Sequence, residues 1–311
     1  MPDKIANIAA SIRQRLKNLA NARGWDYQVA LRRYVLERIL YRLTLSSFQE
    51  EFVLKGAMLQ AVWLENPFRN TRDLDLHARG EEDAVRVSKA FETILTTAVD
   101  DDGVTFDVKE LKVEPIRENV SYGGIRLRTT ADLGGARVPV VIDVGFGDAI
   151  TPKPELTDYP SLLDLPKPRL LAYPRETVVA EKFEAMVSLG LTNSRMKDFH
   201  DVAVLASMFE FEGSLLAKAL MATFKRRGTL LPTEPPPALT DAFTKQSEVA
   251  SRWKAFVTRE SILEEYTDLD AVVRLLRAFL LHPAAAAADL ADFNLRWPPG
   301  GPWSESGAKA K

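Results

Sequence analysis

The segment Asn70–Leu76, with the sequence NTRDLDL, constrains the fold of this chain more than any other stretch. Charged and apolar residues alternate in it, which predicts a half-buried β-strand over residues 72–77. Side chains two residues apart on a strand share a face, so Asp73 and Asp75 would have Cα atoms roughly 6.6 Å apart. Two carboxylates in that arrangement can hold one or two Mg²⁺ ions, the usual apparatus for moving a phosphoryl or nucleotidyl group.

A glycine-containing turn precedes this acidic pair. The stretch Phe52–Trp63 predicts a short strand or turn that enters a helix, with Gly56 at the junction. Glycine lets the backbone come close to a triphosphate. Thr71 and Arg72 stand directly before the pair, where a hydroxyl and a cation suit contacts to a phosphate or to metal-bound water.

A third carboxylate lies on another predicted strand. Asp143 interrupts the β-branched segment Val138–Phe146, which predicts a buried strand. A carboxylate inside an apolar strand is costly to bury unless it pairs or binds a metal. Two interpretations stay open: a strand-end acid bonded to a turn N–H, or a third carboxylate beside the metals that orients or deprotonates an acceptor hydroxyl.

The second half of the chain carries charges at helical spacing. Lys182 lies on a helix predicted from Glu176 onward, where it either snorkels from an amphipathic face or places a point charge on a triphosphate. Four further charged residues follow a turn: Arg195, Lys197, Asp198 and Asp201. Spacing alone makes these four ordinary helix-surface charges, with Asp198 favoured by the helix dipole in the first turn.

The composition of the 311 residues indicates a globular protein without disulfides or thiolate metal sites, because cysteine is absent. No apolar run approaches a membrane span and no signal peptide is evident, so no membrane partner and a cytoplasmic location are expected. The net charge of −2 provides no global field that attracts nucleic acid, so a polyanion site would have to be local. The local basic candidates are Arg32-Arg33, Arg195 with Lys197, and Lys225-Arg226-Arg227.

The predicted fold class is α+β, in which N-terminal helices over about 5–47 precede a mixed sheet. Residues 1–150 would form the first domain, 151–297 a mainly helical second domain and 298–311 a disordered tail. Within this plan, residues 104–113 are predicted as one strand and 151–174 as an irregular, proline-rich crossover.

Together these segments resemble the AbiEii-type nucleotidyltransferase toxins, relatives of the MenT toxins in the DNA-polymerase-β-like nucleotidyltransferase superfamily. The resemblance covers about residues 5–208. The matching stretches are FVLKGAML at 52–59, NTRDLDL at 70–76, VIDVGF at 141–146, AEKFEAM at 180–186 and KDFHDVAVL at 197–205. The resemblance implies a polymerase-β-like mixed-sheet core followed by a helical C-terminal half.

The resemblance also implies roles for individual residues. It implies that Gly56, Ala57, Thr71 and Lys182 bind the nucleotide, and the flanking residues Lys55 and Arg72 are predicted to do so as well. It implies that Asp73 and Asp75 are metal ligands, and Asp143, on its own strand, is predicted as the third. The predicted catalytic residues are these three carboxylates with Lys182, Asp198 and Asp201, of which the last two belong to a basic-Asp-x-x-Asp motif that begins at Lys197. Ala57 departs from the glycine or serine common in the family, which removes one possible phosphate hydrogen bond, worth about 0.5–1.5 kcal/mol.

The activity that the resemblance implies is transfer of a nucleotide from an NTP to RNA, with Mg²⁺ or Mn²⁺ as cofactor and the 3′ end of tRNA as the first candidate acceptor. The implied partner is an antitoxin, commonly an AbiEi-like winged-helix protein encoded nearby or in some systems a kinase, and the implied setting is toxin–antitoxin or phage defence. Two alternatives stay open. The same fold could modify a protein or a small molecule, or the chain could be a non-catalytic nucleotide-binding interaction protein.

Overall fold

The computed structural model describes residues 7–64, 71–116, 123–260 and 262–305. These residues form two compact units, one from the chain up to 147 together with 155–172, the other from 148–154 and from 173 onward. Residues 155–172, expected from the sequence in the second domain, therefore belong to the first unit. The predicted breaker segment at 66–70 lies outside the described residues.

Unit 1 combines four described helices with eight strands. Its helices are α1 (Ile8–Arg23), α2 (Tyr27–Leu45), α3 (Gln60–Trp63) and α4 (Ala84–Thr96). Its strands are β1 (Phe52–Lys55), β2 (Leu74–Ala78), β3 (Thr105–Phe106), β4 (Lys112–Pro115), β5 (Gly124–Leu133), β6 (Ala136–Phe146), β7 (Glu155–Asp158) and β8 (Arg169–Ala172). A 3₁₀ turn, Gly56–Leu59, joins β1 to α3.

The N-terminal helices form because their ends are capped and their apolar stripes are buried. α1 stops at Gly24, which adopts a left-handed conformation with φ of 65°. Asp26 caps the start of α2, and its side chain accepts a hydrogen bond of 2.6 Å from the backbone N–H of Gln28. The buried side chains of α2 pack against β6, which fixes the helix on one face of the sheet.

The strand order is β3-β5-β6-β2-β1-β8-β7, with β4 paired to β5. β2 and β6 are parallel, as are β1 and β8, whereas the other described pairs are antiparallel. This arrangement confirms the predicted mixed sheet. Along β6 every second residue is buried, so Asp143, between Ile142 and Val144, lies on the half-exposed face. The strand predicted as buried is therefore buried on one side only.

Two stretches of unit 1 differ from their predictions. Residues 104–113 form β3, a 3₁₀ turn and then β4, because Asp107 caps the turn by accepting a hydrogen bond of 3.3 Å from the N–H of Glu110. The stretch 151–174 contains β7 and β8, which extend the sheet because Ala172 pairs with Leu54 of β1. Because this stretch is rich in proline, the sequence predicts an irregular crossover and not these two short strands.

Unit 2 is mainly helical, as predicted. Its helices are α5 (Arg175–Leu189), α6 (Met196–Met208), α7 (Gly213–Arg227), α8 (Asp241–Thr244), α9 (Ser247–Glu260) and α10 (Leu269–Ala288). A small antiparallel pair joins β9 (Phe211–Glu212) to β10 (Arg296–Trp297).

Among the described residues, α10 has the length and hydropathy of a membrane span, with a mean hydropathy of 1.4. This corrects the expectation that no apolar run reaches that length. Its side chains Val273, Leu276, Phe279 and Leu280 are fully buried in unit 2. Because α10 packs on α6 and α7, it has the character of the core helix of a globular unit, which passes the same test.

Residues 298–305, expected to begin a disordered tail, make defined contacts. The ring of Trp303 stacks on Phe279 at a centroid distance of 5.9 Å, and its indole N–H donates a 3.0 Å hydrogen bond to the carbonyl of the same residue. Ser304 bridges to Arg296 beside the small sheet. An aromatic anchor thus orders this glycine- and proline-rich segment. Residues 306–311 lie outside the described part of the chain.

Candidate active site

Four charged residues stand in register on four adjacent strands of unit 1. Lys55 on β1 pairs with Asp75 on β2, Asp75 pairs with Asp143 on β6, and Asp143 pairs with Arg126 on β5. Neighbouring strands lie about 4.8 Å apart, and residues directly opposite each other share a face. All four residues are half-exposed. We call this set the charged row.

The turn that follows β1 requires a glycine beside the charged row. Gly56 has a φ of +72°, and a Cβ atom added there would lie 2.6 Å from both Cβ and Cγ of Asp75. Any side chain would therefore displace the Asp75 carboxylate or strain the backbone. Ala57, the next residue, is buried. The structure thus places the predicted glycine turn directly against the second aspartate of the motif.

Asp73 lies just before β2 and is half-exposed. Because it precedes the strand, the two-residue strand period does not by itself fix the direction of its side chain. The hydroxyl of Thr71 donates a 2.8 Å hydrogen bond to the carbonyl oxygen of Asp73, which holds the turn that leads into the strand. Arg72 between them is exposed.

Arg126 is a residue of this site that the sequence did not reveal. Its Nε donates to Oδ1 of Asp143 at 2.7 Å, and its terminal nitrogen donates to Oδ2 at 2.6 Å. This two-pronged geometry is the strongest form of an arginine–carboxylate contact. The side chains are 25% and 16% exposed. The alternation of apolar residues through Ile125 and Leu127 predicts a strand over residues 124–130, but the partner of Arg126 depends on the register with β6.

The donor set of the site partly fits the divalent ion that the family resemblance implies. Mg²⁺ is usually held by one or two protein carboxylates together with substrate phosphates and water, a role that Asp73 and Asp75 suit. Both oxygens of Asp143, the third predicted ligand, accept hydrogen bonds from Arg126. Within the described ranges, no three His, Asp or Glu side chains are grouped so that they could hold a metal ion.

The predicted residues of the second half form a cluster within unit 2. Nζ of Lys182, on α5, lies 2.6 Å from Oδ1 of Asp198 and 2.9 Å from Oδ2 of Asp201, both on α6. Nε of Arg195 lies 2.8 Å from the other oxygen of Asp198. We call Lys182, Asp198, Asp201 and Arg195 the helix cluster. Since Lys182 contacts both aspartates, the geometry does not single out one of them.

Burial sets the electrostatics of the helix cluster. The side chain of Asp198 is 1% exposed, that of Asp201 is 6% and that of Lys182 is 17%. Burial opposes ionisation of Asp198, but the adjacent charges of Lys182 and Arg195 outweigh it and hold the pKa of Asp198 below its usual value. Asp198 is therefore ionised at neutral pH and locked into ion pairs. Lys197 is exposed on the same helix.

The basic run Lys225-Arg226-Arg227 does not form a uniform cationic surface. Arg227 is largely buried and makes ion pairs with Asp148 at 3.3 Å and with Glu184 at 2.8 Å. Lys225 and Arg226 are exposed at the end of α7. The run is thus partly structural.

Comparisons with known proteins agree with the motifs. Residues 38–275 match the family model described as nucleotidyl transferase AbiEii toxin, type IV toxin–antitoxin system. Among solved structures, the chain is similar to JHP933 from Helicobacter pylori, with 15% identity, a TM-score of 0.48, and coverage of 85% of this chain and 92% of that one. A second structure, of a "putative nucleotidyltransferase" from H. pylori, has the same identity, TM-score and coverage of this chain, and 95% of its own length is covered. No curated protein matches the chain.

Proposed function

Because the chain belongs to the AbiEii family of nucleotidyltransferase toxins of type IV toxin–antitoxin systems, we propose that it transfers a nucleoside monophosphate from an NTP to an RNA acceptor. The bond between the α- and β-phosphates breaks, a new bond forms between the acceptor hydroxyl oxygen and the α-phosphorus, and pyrophosphate leaves. The proton of the hydroxyl passes to solvent or to a nearby carboxylate.

The observation that carries this proposal is the charged row beside Gly56. Asp75 abuts the glycine turn, so a nucleotide that follows the turn would meet its carboxylate. Lys55, one strand away in register, brings a positive charge to the same face. Asp73 and Asp75 would hold Mg²⁺, which when bound neutralises phosphate oxygens. Catalysis would then rest on positioning and electrostatic stabilisation rather than on a covalent intermediate.

Asp143 would act on the acceptor. Its carboxylate is fixed by Arg126 on the face that carries Asp75. A carboxylate held in that way can accept a hydrogen bond from the attacking hydroxyl and orient it.

The helix cluster enters the proposal through the family resemblance. Lys182, Asp198 and Asp201 match the lysine and the basic-Asp-x-x-Asp motif of the family, and the structure brings them into one ion-pair network. We keep their predicted catalytic role, which predicts that Lys182→Met lowers nucleotide transfer. Because Lys182 bonds both aspartates, that experiment needs a stability measurement beside it.

The basic residues of α1 favour RNA as the acceptor. The helix carries Arg13, Arg15, Lys17 and Arg23 and no acidic residue, although the chain as a whole has a net charge of −2. At its end the guanidinium groups of Arg23 and Arg33 lie 4.9 Å and 5.2 Å from the centroid of the Trp25 ring, which orders both cations. Lysine and arginine contacts to phosphates supply affinity for nucleic acid independently of sequence.

The acceptor RNA that we propose is tRNA, at its 3′ end, and the partner is a separately encoded antitoxin of the winged-helix type. The type IV family implies an antitoxin partner. The setting would be growth control or phage defence in the cytoplasm. A protein or small-molecule acceptor is the second candidate, and it would not require the basic residues of α1.

The test is an incubation of purified protein with total tRNA, Mg²⁺ and each α-³²P-labelled NTP in turn, with Asp75→Asn alongside. We expect label in a tRNA-sized band that is absent with the variant. Label that enters protein instead, or no label with any NTP, would contradict the RNA proposal.

A companion experiment addresses the basic residues of α1. The variant Lys17→Glu should weaken tRNA binding. It should also reduce the salt dependence of binding, by about one unit of log–log slope for each phosphate that the helix no longer neutralises. Lys218→Glu, on the exposed side of α7, is the matched control. Equal effects of both changes would argue against a localised RNA surface.

A further inference from the structure

Both carboxylate oxygens of Asp143 accept a hydrogen bond from Arg126. Two charge-assisted hydrogen bonds of 2.7 Å and 2.6 Å join them, at the short end of the range for such bonds. The same strand offers a comparison, since Arg128 bonds Glu114 through a single nitrogen at 2.8 Å, with both side chains about half exposed. Arg126 is therefore the more firmly held of the two arginines.

The sheet itself places Arg126 opposite Asp143. β5 and β6 pair continuously from Gly124 with Gly145 to Leu133 with Ala136, the longest ladder described in unit 1. Arg126 thus reaches Asp143 from within a regular strand and not from a loop. Register fixes the pair before any ligand arrives, because sliding β5 by one residue would turn Arg126 to the opposite face.

The charge of Arg126 bears on metal binding. A dication that used Asp143 as a ligand would have to share the carboxylate with a guanidinium, which repels it. Asp75 lies one strand further from Arg126, with Lys55 of β1 in register on its other side and the glycine turn against its carboxylate. What makes Asp143 a poor ligand is that the guanidinium of Arg126 occupies both of its oxygens.

We propose that Arg126 is a positioning residue that keeps Asp143 out of the metal ligand set and fixes it as the hydrogen-bond acceptor for the attacking hydroxyl. The metal is then held by Asp73, Asp75 and the nucleotide phosphates. This inference rests on the proposed function, which it deepens by dividing the three carboxylates into two roles.

The test measures metal affinity directly, by electron paramagnetic resonance of Mn²⁺ in the presence of a non-hydrolysable α,β-methylene NTP. We expect Asp75→Asn to weaken Mn²⁺ binding by about 10-fold or more, a loss typical of disturbed metal sites, and Asp143→Asn to change it by less than about 3-fold. Arg126→Gln, which frees Asp143 and removes a nearby cation, should tighten Mn²⁺ binding. Arg128→Gln is the matched control and should leave it unchanged.

Kinetics supply a second readout. Arg126→Gln should lower kcat while the KM for the NTP changes little, because the orientation of the acceptor is lost and nucleotide binding is kept. Arg126→Lys keeps the positive charge but cannot donate two parallel hydrogen bonds to the carboxylate, so its kcat should lie between that of Arg126→Gln and that of the parent. Circular dichroism checks that each variant is folded.

The outcomes separate this inference from the proposed function. If Asp143→Asn weakens Mn²⁺ binding as much as Asp75→Asn, the inference is overturned and the nucleotidyltransferase stands with three metal ligands. If Asp75→Asn has no effect on Mn²⁺ binding or on transfer, the proposed site itself is wrong. The Asp143→Asn measurement decides the question even if Arg126→Gln does not fold.

Discussion

The charged row of unit 1 and the helix cluster of unit 2 use the same residue types at different depths of burial. In the row, Asp75 and Asp143 are part-exposed on one face of a sheet, and Asp75 faces a turn that only glycine fits. In the helix cluster, Asp198 is 1% exposed and its charge is balanced inside the protein by Lys182 and Arg195. A part-exposed carboxylate can bind a cationic ligand with little effect on the free energy of unfolding. A buried carboxylate in an ion pair contributes to that free energy, so its removal destabilises the protein.

The largest effect that this comparison predicts is on the stability of the helix cluster. Asp198→Ala should lower the free energy of unfolding by about 3–5 kcal/mol, because it leaves the ammonium of Lys182 without its shortest ion pair in a site that is largely buried. Urea denaturation measures the change. Asp241→Ala, which removes an exposed partner of Arg277, should cost no more than about 1 kcal/mol. Similar losses for both variants would break the distinction between buried and exposed pairs.

The converse prediction concerns the charged row. Asp75→Asn should reduce nucleotide transfer by about 100-fold or more, equivalent to about 2.7 kcal/mol of transition-state stabilisation. The same variant should keep its free energy of unfolding within about 1 kcal/mol of the parent, since Asp75 is half-exposed. Glu155→Gln, on the opposite edge strand β7 of the same sheet, is the control and should retain full activity. A stability loss in Asp75→Asn as large as that in Asp198→Ala would contradict the comparison.

These two clusters also show how much of the site could be predicted from the sequence. The motif identified Asp75, Asp143 and Gly56 as neighbours in function, and β-strand alternation predicted their strands. The adjacency of Asp75 and Asp143 follows from the parallel pairing of β2 with β6, two strands that have residues 79–135 between them in the chain. No local sequence pattern predicts that pairing, because strand order depends on the packing of the whole sheet.

Arg126 is a second example of a contact that local sequence patterns do not predict. Its place on a strand was predictable from the alternation over residues 124–130, but its partner was hidden in the register of β5 with β6. In unit 2, the spacing of Asp198 and Asp201 indicated one helix face, yet spacing alone favoured surface charges. Their burial arises from the packing of α5 on α6, a tertiary effect that a single helix does not encode.

A third prediction tests the contact that joins the glycine turn to the charged row. Gly56→Ala should cost about 1–3 kcal/mol of stability, because φ is +72° there, and should also lower transfer, because the new Cβ would displace the Asp75 carboxylate. Gly24→Ala is a close control, since its φ is +65° but no atom lies within 4 Å of the added Cβ. It should lose stability to a similar degree and keep its activity. Equal activity of the two variants would show that the approach of Gly56 to Asp75 has no catalytic role.

The smallest predicted effect is the acid dependence of the helix cluster. The pKa of Asp198 is held below its usual value by Lys182 and Arg195 against the opposing effect of burial. A carboxyl group with a lowered pKa in the folded state stabilises the protein above its unfolded pKa of about 3.9, and that stability is lost as the pH falls through the folded value. The difference in unfolding free energy between the parent and Asp198→Asn should therefore be constant from about pH 5 to 7 and shrink below about pH 4. Urea midpoints collected between about pH 3 and 7 measure it. A difference that stays constant over that whole range would mean that Asp198 stabilises the helix cluster by its shape and hydrogen bonds and not by its charge. The helix cluster would then differ from the part-exposed carboxylates of the sheet only in how deeply it is buried.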